Sequence, residues 1–413
     1  MLGILRYFLV AIYLTGSINH SCSSDSLADS LLGISRYMSK PYMWVRANLA
    51  RIYSPYQPGK YGQYSTTFGE IMYRNVLAET LLTIAPMALA LGEMAVFPRY
   101  LSYSLRGEDY HYIVGDGDTK QFDSSFSILS LNICFLPGEL PLLFGGVSPS
   151  SERIEAVASV ISEKDPDVVC LYEVHEIDSA YELFLKLKKD FAYFYIDIGP
   201  DYLEMNSGLF VASKFKIENP EFKPFQYREM QEQINKGYFE FTLVDEDSAF
   251  AKIYTTHLQP YRKRIDEQIR KKEIQEIIDD IVQDNVSCPV ILCGDLNIPW
   301  NSNEYFDSGI STLFYDNYTD GIEVVDESNR TYSAFLGDHR WDKINSETGV
   351  GDEVSHYSEI VDYSLIYNDG SNANLRTTRL DSFNSDDPEM ALSDHHGLFS
   401  IVSFSKGEKK TGH

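Results

Sequence analysis

Polar side chains of three types, asparagine, carboxylate and histidine, follow the apolar runs of this sequence at the points where predicted strands end. These residues are Asn132, Glu173, Asn206, His257, Asp295, Asn297, Asp394 and His395, and Asp362 lies within a further predicted strand. One such residue alone is more often a cap or a salt-bridge partner than a ligand. The combination of amides, several carboxylates and two histidines is what metal-assisted cleavage of a phosphoester requires.

Each of the three residue types has its own task in that chemistry. Carboxylate and amide oxygens are ligands of a hard cation such as Mg²⁺, which polarises a phosphoryl oxygen and neutralises developing charge. A histidine with a pKa near neutrality removes a proton from water. Further donors stabilise the oxygens of the transition state. The sequence therefore predicts a Mg²⁺-dependent phosphoesterase, in which Mn²⁺ is able to substitute.

The elements that must position these side chains alternate between strands and helices from residue 126 onwards. Short apolar runs predict strands at 126–132, 167–174, 193–198, 208–213, 237–243, 251–257, 290–293, 360–367 and 398–404. Helical spacing of apolar residues predicts helices at 151–163, 178–189 and 262–283. This mixed order predicts sheets covered by helices, and the pattern by itself does not distinguish an open sheet from a sandwich.

Two apolar stretches precede this part of the chain. The first, Leu2–Leu14, has the length of a signal-peptide core but is followed by no clear small-residue cleavage site. The second, Val76–Phe97, has an uncharged core of 13 residues around Pro86, whereas a membrane span needs roughly 20 apolar residues. We therefore expect a re-entrant or in-plane helix kinked at Pro86. A cleaved signal and plain burial in a helical extension are the alternatives.

The charge distribution separates the N-terminal part from the rest. The whole chain carries −26 at pH 7, residues 1–75 carry +4, and the remainder therefore carries −30. A basic, apolar part on an acidic body favours a membrane-facing piece joined to a soluble domain, with a solvated loop region as the alternative. The acidic body argues against nucleic acid as a substrate, as do stretches beside the proposed ligands that are poor in lysine and arginine.

A polar, glycine-rich stretch at 106–124 indicates a linker between the two parts. We therefore divide the chain into an N-terminal membrane-associating region (1–121), a catalytic domain (122–406) and a polar tail (407–413). Five cysteines are too few for a disulfide scaffold, and their odd number favours a reducing compartment.

Seven motifs occur in the order found in the endonuclease/exonuclease/phosphatase superfamily, which the sequence resembles over residues 126–404. They are LSLN at Asn132, CLYEV at Glu173, MNSGL at Asn206, TTHL at His257, GDLN at Asp295, VDY at Asp362 and SDH at His395. The resemblance implies a four-layered α/β sandwich similar to pancreatic deoxyribonuclease, here with an N-terminal hydrophobic helical extension. One departure is Tyr172, which stands where the superfamily has glutamine before the metal-binding glutamate.

Further motifs resemble those of the neutral sphingomyelinases, in particular the membrane-associated enzymes. These motifs are NICFLPG, NSGLFVASKFKI, INKG and WDKINS. WDKINS is similar to the bacterial secreted branch, whereas FLPG and NSGLFVASKF are closer to the membrane-bound animal enzymes, as are the two hydrophobic segments with the collar FPRYLSYSLRGED. It implies a hydrolase that cleaves sphingomyelin in a bilayer to ceramide and phosphocholine, with anionic lipid as a further partner and without a nucleic-acid partner. It also implies a membrane-associated protein with a cytosolic catalytic domain, with secretion after signal cleavage as the alternative.

The superfamily resemblance also implies roles for individual residues. Glu173, helped by Asn132, would bind Mg²⁺. His395 would deprotonate water and would be oriented by Asp362 or Asp394. The remaining implied roles are charge stabilisation and substrate binding by His257 and Asn297, substrate binding by Asn206, and positioning of water or of His257 by Asp295.

Three other functions stay open at this point. A phospholipase C acting on lyso-phosphocholine lipids would use the same pocket, and a nuclease of the same superfamily would need a basic groove. A membrane-binding scaffold would need no turnover at all. The acidic body disfavours the nuclease, and the presence of every motif residue disfavours the scaffold.

Overall fold

The computed structural model describes two N-terminal helices followed by an α/β sandwich. The described residues are 24–53, 68–136, 147–200, 206–227, 234–246, 248–284, 286–326, 328–333, 358–368, 373–384 and 391–404. The first predicted apolar stretch, Leu2–Leu14, and the predicted polar tail, 407–413, lie outside the described residues.

The two N-terminal helices are α1 (Ser24–Tyr53) and α2 (Phe68–Arg106). They pack closely against each other where Gly92 of α2 meets Tyr42 of α1. A Cβ added at Gly92 would lie 3.0 Å from the Tyr42 side chain, so the helices approach each other only because this position lacks a side chain. We call α1 and α2 together the helical pair.

The helix α2 is longer than the sequence pattern predicts. It is one continuous helix of 39 residues that runs through Pro86, and its expected re-entrant or in-plane placement stays a prediction. Glu93, the charge that follows the uncharged core, is exposed, and the helix continues past it. Among the described residues, Asn75–Arg106 is the one segment long and apolar enough to cross a membrane. Met87 and Phe97 within it are exposed.

The sandwich contains the strands of the described part of the chain. In chain order they are β1 (His111–Val114), β2 (Ser125–Asn132), β3 (Val168–Tyr172), β4 (Tyr193–Ile196), β5 (Phe210–Ser213), β6 (Lys216–Pro224), β7 (Gly237–Asp245), β8 (Ser248–His257), β9 (Val290–Asp295), β10 (Phe314–Tyr315), β11 (Tyr332–Ser333), β12 (Ser358–Glu359), β13 (Asp362–Tyr367), β14 (Ala373–Leu380) and β15 (Gly397–Phe404). One sheet has the order β1-β4-β5-β3-β2-β15-β14, and the other has the order β10-β13-β9-β8-β7-β6. A short separate sheet pairs β11 with β12.

Helices cover the outer face of each sheet. The first sheet is covered by α3 (Ser150–Lys164) and α4 (Ile177–Leu187), and the second by α5 (Arg264–Gln283), α6 (Asn303–Asp307) and α7 (Ile310–Leu313). A further apolar core, which includes Phe126, Cys170, Phe239 and Cys293, lies between the two sheets. The order of layers is helix, sheet, sheet, helix, so the predicted four-layered α/β sandwich is confirmed.

Strand pairing brings the predicted site residues together at one edge of the sandwich. β2 runs parallel to β3, with Asn132 opposite Tyr172. β8 runs parallel to β9, with His257 opposite Asp295, and the antiparallel β13 places Asp362 opposite Asp295 as well. Because the carboxyl ends of parallel strands open onto a common crevice, both sheets supply side chains to the same place.

The sequence pattern does not predict β1, β6 or β14, and all three are edge strands. β1 pairs with β4 and lies within the stretch 106–124 that we expected to be a linker. Exposed residues interrupt the buried ones in β6 and β14. Edge strands carry few apolar residues because one side faces water, so their periodicity is weak. The division of the chain at residue 122 stays a prediction, although the first sheet already begins at His111.

Candidate active site

Six of the nine predicted site residues line one cavity of about 660 Å³ at this edge. The six are Glu173, His257, Asp295, Asn297, Asp394 and His395, and the same cavity is lined by Pro260, Tyr261, Arg262, Lys263 and Tyr332. Asn132 and Asp362 lie behind the lining, and each is hydrogen-bonded to a lining residue. The ninth residue, Asn206, does not line the cavity.

Two of the lining residues adopt a left-handed backbone conformation within two residues of the ends of their strands. Glu173 follows β3 with φ 65°, and Asn297 follows β9 with φ 53°. A residue with a Cβ pays roughly 1–2 kcal/mol for this conformation. At Asn297 the backbone N–H compensates by donating to Asp295 Oδ1 at 3.0 Å. Such strain is often kept at functional sites because it fixes the direction of a side chain.

Asn132 connects the two sheets behind the cavity. Its Nδ2 donates to Glu173 Oε1 at 3.0 Å and to Asp295 Oδ2 at 2.9 Å. Its Oδ1 accepts the backbone N–H of Cys134 at 3.0 Å. The amide nitrogen therefore holds two carboxylates side by side. The amide oxygen accepts one backbone N–H and keeps a second lone pair, so the expected help of Asn132 in binding Mg²⁺ stays a prediction.

His395 is oriented by Asp362. The ring Nδ1 lies 2.8 Å from Asp362 Oδ2, and Nε2 lies 3.7 Å from Asp295 Oδ2. The ring of Tyr332 packs on the imidazole with centroids 4.8 Å apart. The sequence left Asp362 and Asp394 open as partners of this histidine. The hydrogen bond is made by Asp362, whereas Asp394 lines the cavity.

His257 lies beside the same carboxylates without a hydrogen bond to them. Its Nε2 is 3.6 Å from Asp295 Oδ2 and 3.9 Å from Glu173 Oε1, which exceeds hydrogen-bond distance. Burial, followed by the positive charge of Lys236, lowers the pKa of His257 well below its ordinary value. A neutral imidazole in this place has one N–H, which can be donated to a substrate oxygen.

The pKa values of the two histidines of the site are shifted in opposite directions. Burial acts to lower the pKa of His395, but the negative charges of Asp362 and Asp295 and the hydrogen bond to Asp362 outweigh burial and raise this pKa well above its ordinary value. His395 is the histidine that holds a proton readily. His257 is the histidine that stays neutral.

The carboxylates at the site are buried close to one another. Burial, and next the negative charge of Asp394, raises the pKa of Glu173 to about 7. Ligand atoms of Asp295, Asp362 and His395 lie within 4.8 Å of one another. A raised carboxyl pKa of this origin is relieved by a nearby cation, and oxygen donors suit Mg²⁺ or Mn²⁺. Glu173 and Asp295 share the Asn132 Nδ2 donor, so the residues present fit a hard divalent cation beside these two carboxylates.

Asn206 connects the site to the helical pair. Its Nδ2 donates to Asp197 Oδ1 at 3.0 Å, and its Oδ1 accepts the N–H of Gly208 at 2.7 Å. Asp197 is fully buried and also binds Arg99 of α2 at 2.5 Å. The Gly208 carbonyl accepts the N–H of Val174, the residue after the cavity-lining glutamate, at 2.9 Å. Asn206 thus holds a loop in place, and its expected contact with substrate stays a prediction.

Tyr172 lies between the two sheets and not in the cavity. Its hydroxyl is 2.8 Å from Ser130 Oγ and 3.3 Å from Thr255 Oγ1. The Tyr172 side chain therefore points away from the cavity. The neighbouring Glu173 lines the cavity.

Sequence reasoning missed the positively charged part of the cavity. Arg262 and Lys263 line it, which corrects our expectation that the stretches beside the ligands are poor in basic residues. The available signal was the run YRKR, which begins four residues after His257. Tyr332 comes from β11, and no motif marks it.

Comparison with known families identifies the class of protein. The profile of the Endonuclease/Exonuclease/phosphatase family matches residues 129–381, more than half of the chain. The chain therefore belongs to this family, whose members are hydrolases acting on phosphodiester bonds. No curated protein matches the sequence at a significant level.

Several solved structures share this fold. SmcL superposes with a TM-score of 0.54 at 18% sequence identity, covering 68% of this chain and 100% of that chain. Sphingomyelinase C from Streptomyces griseocarneus has a TM-score of 0.52 at 19% identity, covering 68% and 99%. A mutant beta toxin from Staphylococcus aureus with bound magnesium ions has a TM-score of 0.51 at 17% identity, covering 67% and 99%. At such identities the likeness establishes the fold.

Proposed function

We propose that this phosphodiesterase hydrolyses sphingomyelin at a membrane surface and releases ceramide and phosphocholine. The convergence of Glu173, His257, Asp295 and His395 on one cavity supports hydrolysis of a phosphodiester. The exposed apolar side chains of α2 support a lipid substrate. The shared fold with a sphingomyelinase C is consistent with that choice.

In this proposal His395 takes the proton from the attacking water. The hydrogen bond to Asp362 fixes Nδ1 and leaves Nε2 for that proton. Asp362 also stabilises the imidazolium that forms, because its negative charge raises the pKa of the ring. Tyr332 packs on the ring and limits its rotation.

The other cavity residues bind the phosphodiester. Glu173 and Asp295 would hold a Mg²⁺ ion, which when bound polarises a phosphoryl oxygen and offsets the developing negative charge. Neutral His257 and the amide of Asn297 donate hydrogen bonds to the oxygens on phosphorus. Asp394, which also lines the cavity, adds a negative charge near a choline group.

Arg262 and Lys263 favour a second candidate, a nuclease. Cations at the mouth of a phosphodiesterase site also suit the backbone of a nucleic acid. The net charge of −26 opposes this reading, and a nuclease has no use for the exposed apolar side chains of α2. A phospholipase C on lyso-phosphocholine lipids differs only in the apolar part of the substrate.

Turnover assays separate these candidates. The purified full-length protein is incubated with Mg²⁺ or EDTA and with one of three substrates: sphingomyelin vesicles, lyso-phosphocholine lipid or plasmid DNA. We expect phosphocholine release from sphingomyelin that EDTA abolishes. Nicking of the plasmid without lipid turnover would replace the proposal by the nuclease. Preference for the lyso-phosphocholine lipid would change the proposed substrate and leave the proposed phosphodiesterase reaction unchanged.

Substitution of Glu173 tests the metal role. Glu173→Gln keeps the size of the side chain but removes a negative ligand, so we expect the Mg²⁺ concentration needed for half-maximal rate to rise at least 10-fold. Glu182→Gln, at an exposed position of α4, is the matched control and should leave the titration unchanged. An unchanged Mg²⁺ titration in Glu173→Gln would exclude this residue as a ligand.

A further inference from the structure

A strongly basic segment borders the mouth of the cavity in an otherwise acidic protein. Residues 260–272 read PYRKRIDEQIRKK, with six lysine or arginine and two acidic residues. The chain beyond residue 75 carries −30 in total. Within the segment Arg262 is paired with Glu359 and the buried Arg270 with Glu304, and the exposed cations are Lys263, Arg264, Lys271 and Lys272. We call residues 260–272 the basic segment.

The cations of the basic segment continue from the cavity onto the surface. Arg262 and Lys263 line the cavity. Arg264 and Lys271 are exposed and lie seven residues apart on α5, on the same face of the helix. Lys272 is also exposed and lies over the ring of Tyr227 at 3.1 Å. The positive charge therefore leads outward from the site.

Two large apolar side chains of the basic segment are exposed among these cations. Tyr261 is 67% exposed and Ile265 is 52% exposed. Tyr261 also has φ 75°, a left-handed conformation that is strained for a bulky residue. A strained aromatic residue held in solvent at the mouth of a cavity indicates a role beyond packing.

A buried arginine holds this arrangement. Arg270 is fully buried and donates to the carbonyls of Tyr261 at 2.6 Å and Gln259 at 3.0 Å. It also makes two hydrogen bonds with Glu304, at 2.7 and 2.9 Å. These hydrogen bonds of Arg270 fix the backbone of the turn that carries Tyr261. The turn therefore loses little conformational entropy when its exposed side chains bind a partner.

We propose that the basic segment docks the catalytic domain on the anionic head groups of a bilayer, with Tyr261 and Ile265 entering the interface and the cavity mouth facing the lipid. The proposal rests on the proposed lipid substrate. Lysine and arginine near an anionic membrane are attracted to it within a Debye length, and amphipathic side chains beside them reach the apolar zone. The segment thereby counters the repulsion between the acidic body and the membrane.

A nucleic acid is the other polyanion that cations at this place would attract. Its backbone would engage Arg264, Lys271 and Lys272 equally well. It offers no apolar phase for an exposed isoleucine, whereas a membrane interface does. The exposure of Ile265 therefore favours the bilayer, and the test includes DNA as a competing ligand.

The emission of a fluorophore at residue 265 reports membrane contact of the basic segment separately from any membrane contact of α2. Ile265→Cys is introduced into the full chain with Cys22→Ser, since the other four cysteines are buried, and is labelled with an environment-sensitive dye. The matched probe is Val324→Cys, which replaces an exposed apolar residue beside Glu323 and Asp326. Vesicles of phosphatidylcholine alone, or with 30% phosphatidylserine, are added in EDTA so that no turnover occurs.

We expect a blue shift at position 265 with phosphatidylserine vesicles, little shift with phosphatidylcholine alone, and none at position 324. The triple change R264Q/K271Q/K272Q should abolish the shift, and so should 1 M NaCl. A triple change of equal charge at distant exposed sites, K186Q/K189Q/K216Q, should preserve it. A shift that survives R264Q/K271Q/K272Q would overturn the proposal.

Three further outcomes would overturn the proposal. They are no shift at position 265 with anionic vesicles, an equal shift with phosphatidylcholine alone, and a shift with duplex DNA but not with vesicles, which would assign the segment to nucleic acid. Because docking is measured without turnover, failure of sphingomyelin hydrolysis leaves this result unaffected. Normal sphingomyelin hydrolysis without the fluorescence shift would overturn the docking proposal and leave the proposed function standing.

Discussion

At the scale of single residues, the candidate site pairs one histidine whose pKa is raised with one whose pKa is lowered. The difference comes from carboxylate contact: His395 is hydrogen-bonded to Asp362, whereas His257 lies 3.6 Å or more from the carboxylates beside it. A base and a neutral hydrogen-bond donor are thereby provided by the same residue type. Each role is testable through its dependence on pH.

Asp362→Asn should shift the pH profile of the reaction. The base acts when His395 is neutral, so activity is lost as the pH falls through the pKa of this ring. Asp362 raises that pKa, so its removal should move the acidic limb of kcat/KM to lower pH. The maximal rate should fall about 100-fold or more, because the imidazolium loses its partner. An acidic limb at the same pH in the variant would exclude this pairing.

His396 makes folding stability sensitive to acid. Burial, followed by the positive charge of Arg379, lowers the pKa of His396 to about 3 from an ordinary 6.5. Below pH 6.5 the unfolded chain binds a proton that the folded chain refuses, so stability is lost as the pH falls. At pH 5 this loss is about 1–2 kcal/mol. His396→Gln should reduce the difference between urea-unfolding free energies at pH 7 and pH 5 by that amount. If His396→Gln left the difference between the unfolding free energies at pH 7 and pH 5 unchanged, His396 would not be the source of the acid sensitivity.

At the scale of elements, the helix α5 supports the turn that follows β8. Arg270 on α5 binds the carbonyls of that turn, and Glu273 Oε2 accepts the N–H of Gln259 at 2.8 Å. The turn carries four of the cavity-lining residues, Pro260, Tyr261, Arg262 and Lys263. The position of the cavity mouth therefore depends on side chains that lie outside the cavity.

Arg270→Met should destabilise the protein and loosen this turn. Loss of the guanidinium removes the hydrogen bonds to Glu304 and to the carbonyls of Gln259 and Tyr261, which costs about 3–5 kcal/mol for a buried pair. Lys271→Met, at the neighbouring exposed position, should change stability by no more than about 0.5 kcal/mol. Urea unfolding measures both. Equal effects of the two substitutions would show that the buried network does not hold the turn.

At the scale of the whole molecule, the helical pair is joined to the catalytic domain by a buried charge cluster. Asp197 binds Arg99 and Tyr103 of α2 on one side and Asn206 on the other. Arg36 of α1 makes a second, more exposed ion pair with Asp178 of α4. The buried cluster therefore links α2 to the sandwich through side-chain hydrogen bonds.

Arg99→Met tests this junction. It leaves Asp197 buried without its cation, so we expect a loss of about 3–5 kcal/mol and faster hydrogen exchange in β4 and β5. Arg106→Met on the same helix is the control, because its partner Asp29 is 60% exposed. A solvent-exposed pair of this kind contributes about 1 kcal/mol or less. Similar exchange rates in the two variants would show that the helical pair is attached elsewhere.

The sequence predicts the central strands and helices because their apolar periodicity is strong, and it places the polar residues at the strand ends. It also predicts that these residues act together, since seven motifs share one order. It does not predict the edge strands β1, β6 and β14, where exposure to water leaves too few apolar residues to set a pattern. The length of α2 was underestimated because a glutamate on an exposed face does not end a helix.

What the sequence alone determined is the inventory of the site, since residue type and strand-end position are local properties of the chain. Only the tertiary structure decided which atoms meet. Asp362 and not Asp394 is hydrogen-bonded to His395, the Asn132 amide presents nitrogen to Glu173, and Asn206 binds Asp197. These choices depend on the register between strands distant in sequence and on rotamers fixed by buried hydrogen bonds. No local pattern encodes either of them.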